Sequence, residues 1–365
     1  MKALWRSGAA ASVLAATCVG VQAQQGQVSV YGLMDTSVEV LTRVGASGDR
    51  LVRMPSWTGS YASRLGFRGE EDVGSGLRAV FTLEMGIAPD NGALNQGGRG
   101  FGRQSFVGLQ GRWGTFTMGR QYSTMYWSLL DADIVGPNLY GIGSLDSYLS
   151  GARADNAIAY RGTFGAWTMG ATYSFGRDAI GGGGLSCAGE QAGESKACRQ
   201  WSLLAQYRAS HWGMVLAVDE MRGGVGALGG LAHSGMKDRR STVNGWMRFG
   251  ATKLGGGLIM RHNDAAADAP RSRLWYLGAA YTLTPVWVLD GAAYRLDVRD
   301  SRNGANLYAL RATYNLSKRT AAYATAGYIR NQGGSALSVS GGAAGGLPQA
   351  GGSQTGWAMG LRHAF

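Results

Sequence analysis

The chain has 365 residues, 61 of them glycine and only 6 proline, and it carries neither the G-X-Y period of collagen nor the Pro-rich bias of a disordered chain. Charged residues make up 16%, against about 25% in soluble domains, and the formal net charge is +12. That length exceeds one small core and suits one large barrel or two to three ordinary domains.

Residues 1–23 read as a secretory leader. Lys2 and Arg6 precede the short apolar run "GAAASVLAATCVGV", and "VQA" places cleavage between Ala23 and Gln24. The run is too short to span a bilayer, which takes about 20 residues. Thr17 stands where lipidation of Cys18 would call for Gly or Ala. Losing Lys2 and Arg6 lowers the net charge by two, from +12 to +10.

From residue 24 onward helical periodicity is nearly absent and period-two alternation recurs. It predicts strands at 27–44, 61–73, 76–87, 102–112, 115–121, 154–163, 165–176 and 199–209. Eight more follow at 212–221, 239–250, 252–263, 271–283, 286–298, 305–316, 319–330 and 354–365. The connections alternate in length. Short ones are "DVGSG", "RWG", "FGA", "SHWG", "TP" and "SK"; long ones are 45–60, 88–101, 122–153, 177–198, 222–238 and 331–353. Short turns at one end and long loops at the other are what a transmembrane β-barrel requires. The fold class is therefore all-β: a sixteen-stranded antiparallel transmembrane β-barrel over residues 24–365.

Strand faces agree. Trp167, Met169, Tyr173 and Phe175 oppose Thr168, Gly170, Thr172 and Ser174; Tyr308, Leu310 and Tyr314 oppose Arg311 and Thr313. In the last strand Trp357, Met359, Leu361 and Phe365 form the lipid row, and the lean row of Gly356, Ala358, Gly360 and Arg362 is expected to line water. A lipid-facing Arg costs about 2–4 kcal/mol at the midplane, so charges should share the lean faces. Parity assigns Asp35, Arg64, Arg68, Glu84, Arg103, Arg161, Arg248, Lys253, Arg261 and Arg311 there. Arg120 lies instead on the parity of Phe116 and Met118.

Cys187 and Cys198 have ten residues between them in a Gly-rich loop and read as a disulfide staple in an oxidising compartment. A metal would need further ligands nearby. His211, His233, His262 and His363 are scattered, with no constellation for a positioned base and nucleophile. No enzyme activity, cofactor or metal is expected. The dispersed basic residues form no nucleic-acid module.

The stretches "VYGLMDTSVEV" (Val30–Val40), "SRLGFRGEEDVGSGLRAVFTLEMG" (Ser63–Gly86), "GRQSFVGLQGRWGTFTMGRQY" (Gly102–Tyr122) and "RADNAIAYRG" (Arg153–Gly162), with terminal Phe365, resemble the trimeric general-diffusion porins of the Gram-negative outer membrane, β-proteobacterial type. The match is dense in the first half, then holds in pattern and at the C-terminus. The resemblance implies a passive channel for small hydrophilic solutes, weakly anion-selective, as a homotrimer in outer-membrane lipid and lipopolysaccharide. It implies that the assembly machinery reads Phe365. It implies a pore constriction with Arg64, Arg68, Arg103 and Arg153 as the basic side and Glu84 as an inward carboxylate. Residues 122–153 would fold into the lumen and turn Asp131, Asp133 and Asp146 toward the arginines. Asn138 after Pro137 departs from the family's acidic residue and thins that side. Gly32, Gly108 and Arg120 are expected on the outer face at the subunit contact. The alternative is a substrate-specific porin, with Tyr126, Trp127, Tyr140 and Tyr148 as an aromatic track.

Overall fold

The computed structural model describes residues 26–55, 60–136, 139–178, 187–227, 229–341 and 345–365. The leader with its Ala23–Gln24 junction, Pro137 with Asn138, and the glycine tip 181–184 lie outside the described residues.

The first strands are β1 (Gln27–Val44), β2 (Asp49–Arg53), β3 (Arg64–Gly74), β4 (Leu77–Gly86), β5 (Gln104–Gly111), β6 (Gly114–Tyr122), β7 (Arg153–Phe164) and β8 (Trp167–Ser174). They continue as β9 (Gln200–Arg208), β10 (Trp212–Arg222), β11 (Lys237–Phe249), β12 (Thr252–Asn263) and β13 (Arg271–Thr282). The last are β14 (Trp287–Val298), β15 (Gly304–Asn315), β16 (Thr320–Gln332) and β17 (Ser353–Ala364). Pairing is antiparallel throughout, and β17 closes on β1, with Leu33 opposite Ala364 and Leu41 opposite Gly356. Closure removes the sheet edges that lipid would leave unsatisfied.

One expected loop contains a strand. Within 45–60, β2 pairs with the upper half of β1, and β3 pairs with its lower half on the same edge, opposite β17. Together β2 and β3 make one stave, so the barrel has sixteen. Between them the β1 ladder loses its partners, and Asp35 supplies replacements. Its backbone N–H and carbonyl bond the Ser63 hydroxyl, both at 2.9 Å. Its carboxylate accepts the N–H groups of Ser60 (3.0 Å) and Tyr61 (2.8 Å) and the Tyr323 hydroxyl. Buried backbone groups are satisfied this way when a ladder is interrupted.

The bulky rows face outward: Trp167, Met169, Tyr308, Leu310, Trp357, Met359, Leu361 and Phe365 are all exposed. Phe365 is tied down by two backbone bonds to Gly32, at 3.0 and 3.1 Å. Its ring occupies the space that a Cβ on Gly32 would fill. Gly32 is thus shaped by the terminal aromatic of its own chain. The short turns share one end; that between β3 and β4 runs through Gly74, Ser75 and Gly76, all with positive φ, where two glycines avoid the left-handed strain.

The lean row of β17 departs from its expected setting. Gly356 and Ala358 do not line water: a Cβ on Gly356 would meet the Tyr140 hydroxyl at 2.7 Å, and Ala358 is buried. The cover is the described part of 122–153, which lies inside the barrel. Met125 and Leu129 on the helix Thr124–Leu129 join Leu139, Ile142, Leu145 and Leu149 against Ile259, Leu274, Leu307 and Ile329 of the wall. Each such side chain removed from water is worth about 1.5–3 kcal/mol. Only further down, at Arg362, does the row keep a charge, which bonds the Ser60 hydroxyl at 2.9 Å and sits over Tyr61.

Above the barrel, Cys187 and Cys198 form a disulfide with Cα atoms 5.2 Å apart.

Candidate functional site: an arginine cluster beside the inward loop

Where β1, β3 and β4 meet the start and end of the inward loop, three cations gather around one carboxylate. Register places Tyr31 opposite Gly66 and Gly66 opposite Glu84, so Tyr31 and Glu84 share the inner face. The Tyr31 hydroxyl donates to Glu84 Oε2 at 3.0 Å. Arg103 Nε donates to Glu84 Oε1 at 2.7 Å, and Arg64 Nε lies 3.7 Å from Oε2. Arg103 and Arg153 both donate to the Tyr122 hydroxyl at 2.7 Å. The Arg153 guanidinium lies 4.4 Å from the Tyr122 ring centre, and Tyr126 stacks on that ring at 3.9 Å. Glu84 and Arg103 are both buried. Arg153 has no ion pair among the described residues.

The structure thus brings Arg64, Arg103, Arg153 and Glu84 together. Arg68 lies two steps of the same parity nearer the short turns, over the Tyr31 ring at 5.3 Å, and does not reach Glu84. Arg103 corrects the parity assignment. The inward row of β5 is Gln104, Phe106, Gly108 and Gln110, paired with the inner face of β4, while Val107 and Leu109 are exposed. Arg103 reaches Glu84 because it precedes β5, where its N–H bonds the Glu84 carbonyl. The same row places Gly108 inward, not at an outer contact. Arg120 is on the outer side, paired with Asp155 and bonded to the Gly102 carbonyl at 2.6 Å.

Sequence reasoning missed Tyr31 and Tyr122, which join the cations. Tyr122 shares parity with outward Met118, but the β6–β7 register shifts between Gly119 and Gln121, where Gly119 has φ 128° and Asn156 φ 47°. The extra residue lies on β7, and just past it Tyr122 meets the inward Arg103 and Arg153. An isolated glycine in a strand pattern is the available sign of such a bulge.

The loop carboxylates do not face this cluster. Asp131 pairs with Arg208 on β9 and lies 3.8 Å from Lys253 on β12. Asp133 is buried and accepts the Tyr294 hydroxyl of β14 at 2.6 Å. Burial pushes its carboxyl up to about 6, against the opposing pull of the Tyr294 bond. Asp146 takes Arg240 of β11 at 2.8 and 3.1 Å. Burial raises that carboxyl, but Arg240 and Arg261 outweigh it and hold it below the usual carboxylate range. All three carboxylates pin the loop to the far wall. The physical reason is the loop's path, which runs along the inner face of β9–β16, where carboxylates find wall partners.

What remains beside the loop is a fixed positive field. Two unit charges about 4 Å apart interact by about 4 kcal/mol at an effective dielectric of 20. Salt screens this over roughly 8–10 Å. A field of this sign attracts small anions.

A sequence model of the Gram-negative porin family matches residues 10–334. The chain is 34% identical over 377 residues to outer membrane porin protein 32 of Delftia acidovorans, covering 98% of each. It is 28% identical to an outer membrane porin protein of Bordetella pertussis, covering 88% of this chain and 93% of that one. Among solved structures, the anion-selective porin from Comamonas acidovorans superposes with a TM-score of 0.76 at 29% identity, covering 93% of this chain and all of that one.

Proposed function

The chain belongs to the Gram-negative porin family, and on that premise we propose that Arg64, Arg103 and Arg153 give its pore a weak preference for anions. The protein is a passive diffusion channel for small hydrophilic solutes, a multi-pass β-barrel of the outer membrane. One observation carries the selectivity: Arg64 and Arg103 share the carboxylate of Glu84 and Arg153 beside them is held by Tyr122, while Asp131, Asp133 and Asp146 bond the opposite wall. The aromatic-track alternative loses support because Tyr140 and Tyr148 are buried in the loop's own packing. In planar bilayers, the reversal potential in a KCl gradient should favour chloride modestly at low salt and approach neutrality near 1 M, where the screening length falls to about 3 Å. A cation preference at low salt would overturn the reading.

The protein works as a homotrimer in this proposal, with Arg120, Asp155 and the neighbouring Arg99 on the outer side of β6–β7 near the subunit contact. Mass measurement in mild detergent should give three chains; a monomer alone would sink it. Residues 1–23 serve as the leader and Phe365, bound to Gly32, as the assembly mark.

A further inference from the structure

Below the loop, toward the short-turn end, a second group of cations occupies the inward rows. It comprises Arg161 on β7, Arg208 on β9, Arg248 on β11 and Lys253 on β12, the last two directly paired. Asp131 serves Arg208 and, at 3.8 Å, Lys253. Arg161 and Arg248 have no ion pair among the described residues.

Indole rings hold these cations in place. The Arg161 guanidinium lies 5.0 Å from the Trp127 ring centre. Arg208, Arg248 and Lys253 lie 5.7, 5.5 and 5.6 Å from that of Trp246, which is itself buried. An aromatic face orders a cation without cancelling its charge. Three other lumenal arginines are instead matched by carboxylates: Arg240 has Asp146 and Asp238, Arg311 has Asp290, and Arg53 has Glu39. Here four cations stand against one carboxylate, positioned but left charged. Beside Arg161 and Trp127 a cavity of about 480 Å³ opens, lined also by Gln104, Gln110 and Thr115. It has room for a small solute, many times the volume one water occupies.

Guanidinium groups present forked donors that match the oxygens of an oxyanion. We infer that Arg161, Arg208, Arg248 and Lys253 form a binding site for small multivalent oxyanions on the short-turn side of the constriction. A dianion engages two or more of these cations at once, whereas chloride gains from one. The inference rests on the anion-pore reading only for access of the solute; it uses none of the residues around Glu84.

Calorimetric titration of the purified full-length pore with pyrophosphate, at constant ionic strength in chloride, tests it. Saturable binding is expected. It should weaken about tenfold in an R161Q/R248Q/K253Q variant, since partly exposed charges each contribute modestly. An R161K/R248K variant should restore most of it, and circular dichroism checks that both barrels are folded. No saturable binding by the unaltered pore, or equal affinity in the neutral variant, overturns the site. The KCl reversal potential reads the other proposal separately. A cation-preferring pore that still binds pyrophosphate keeps this site and loses the selectivity reading; an anion-preferring pore that does not bind loses the site alone.

Discussion

Replacing Arg240 by methionine should release the far end of the inward loop, raising open-channel conductance and making it noisy. Arg240 is among the most deeply buried side chains described. It donates to Asp146 on the loop at 2.8 and 3.1 Å and to Asp238 on its own strand at 3.0 Å, and it lies 4.5 Å from the Tyr148 ring centre. Tyr148 in turn donates to Asp219 at 2.9 Å, and Gln200 bonds both groups. Removing the arginine leaves two carboxylates close together out of water, with Arg261, 2.8 Å from Asp238 and 3.9 Å from Asp146, as the ion-pair partner that remains among the described residues. Breaking one side of a buried pair costs about 3–5 kcal/mol, whereas replacing both sides with apolar groups is often nearly neutral. The R240M/D146L double variant should therefore recover most of the lost stability and quieten the current. Unchanged conductance and unchanged unfolding midpoint in R240M would show that the apolar packing of Leu145, Leu149 and Ile142 holds the loop without the ion pair.

That contrast also explains what can be read from the chain. Alternation of period two is a local property, so the strands and the outward rows at Trp167, Tyr308 and Trp357 are legible, with ends within three residues. The β2 segment is not. Its "DRLVR" is too short to alternate visibly, and it exists because β1 is long enough to take two partners along one edge. The inward path of 122–153 follows from its length and apolar bulk. Its anchoring does not, because Asp131, Asp133 and Asp146 meet partners 77, 161 and 94 positions away. Carboxylates in a loop look alike in sequence whether they face a pore or a wall. The lean row of β17 is recognisable as lean, but the reason at Gly356 is clearance for Tyr140, a contact between distant elements. A glycine that lines water and one that admits a tyrosine carry the same letter.

Neutralising the cluster around Glu84 should move the pore's preference away from anions, by an amount set by which cations are removed. Arg64 and Arg153 can go without stranding a charge. Arg64 is the looser partner of Glu84 at 3.7 Å, and Arg153 is held by the Tyr122 ring and hydroxyl. In the R64Q/R153Q variant Arg103 still pairs with Glu84 at 2.7 Å, so the net charge there falls from two positive to zero. The chloride-to-potassium permeability ratio should fall several-fold at about 0.1 M salt and change little at 1 M, because the field is screened within about 10 Å and 3 Å respectively. Adding R103Q leaves Glu84 buried with only the Tyr31 hydroxyl, at 3.0 Å, as a stabilising donor. That triple variant should turn the pore toward cations and lose stability, since an uncompensated buried carboxylate is costly. Including E84Q should restore the stability while leaving the site neutral. The converse change, E84Q alone, removes the one counter-charge of three arginines and should raise the anion preference. If E84Q and R64Q/R153Q shift the reversal potential in the same direction, the selectivity is not set at this cluster.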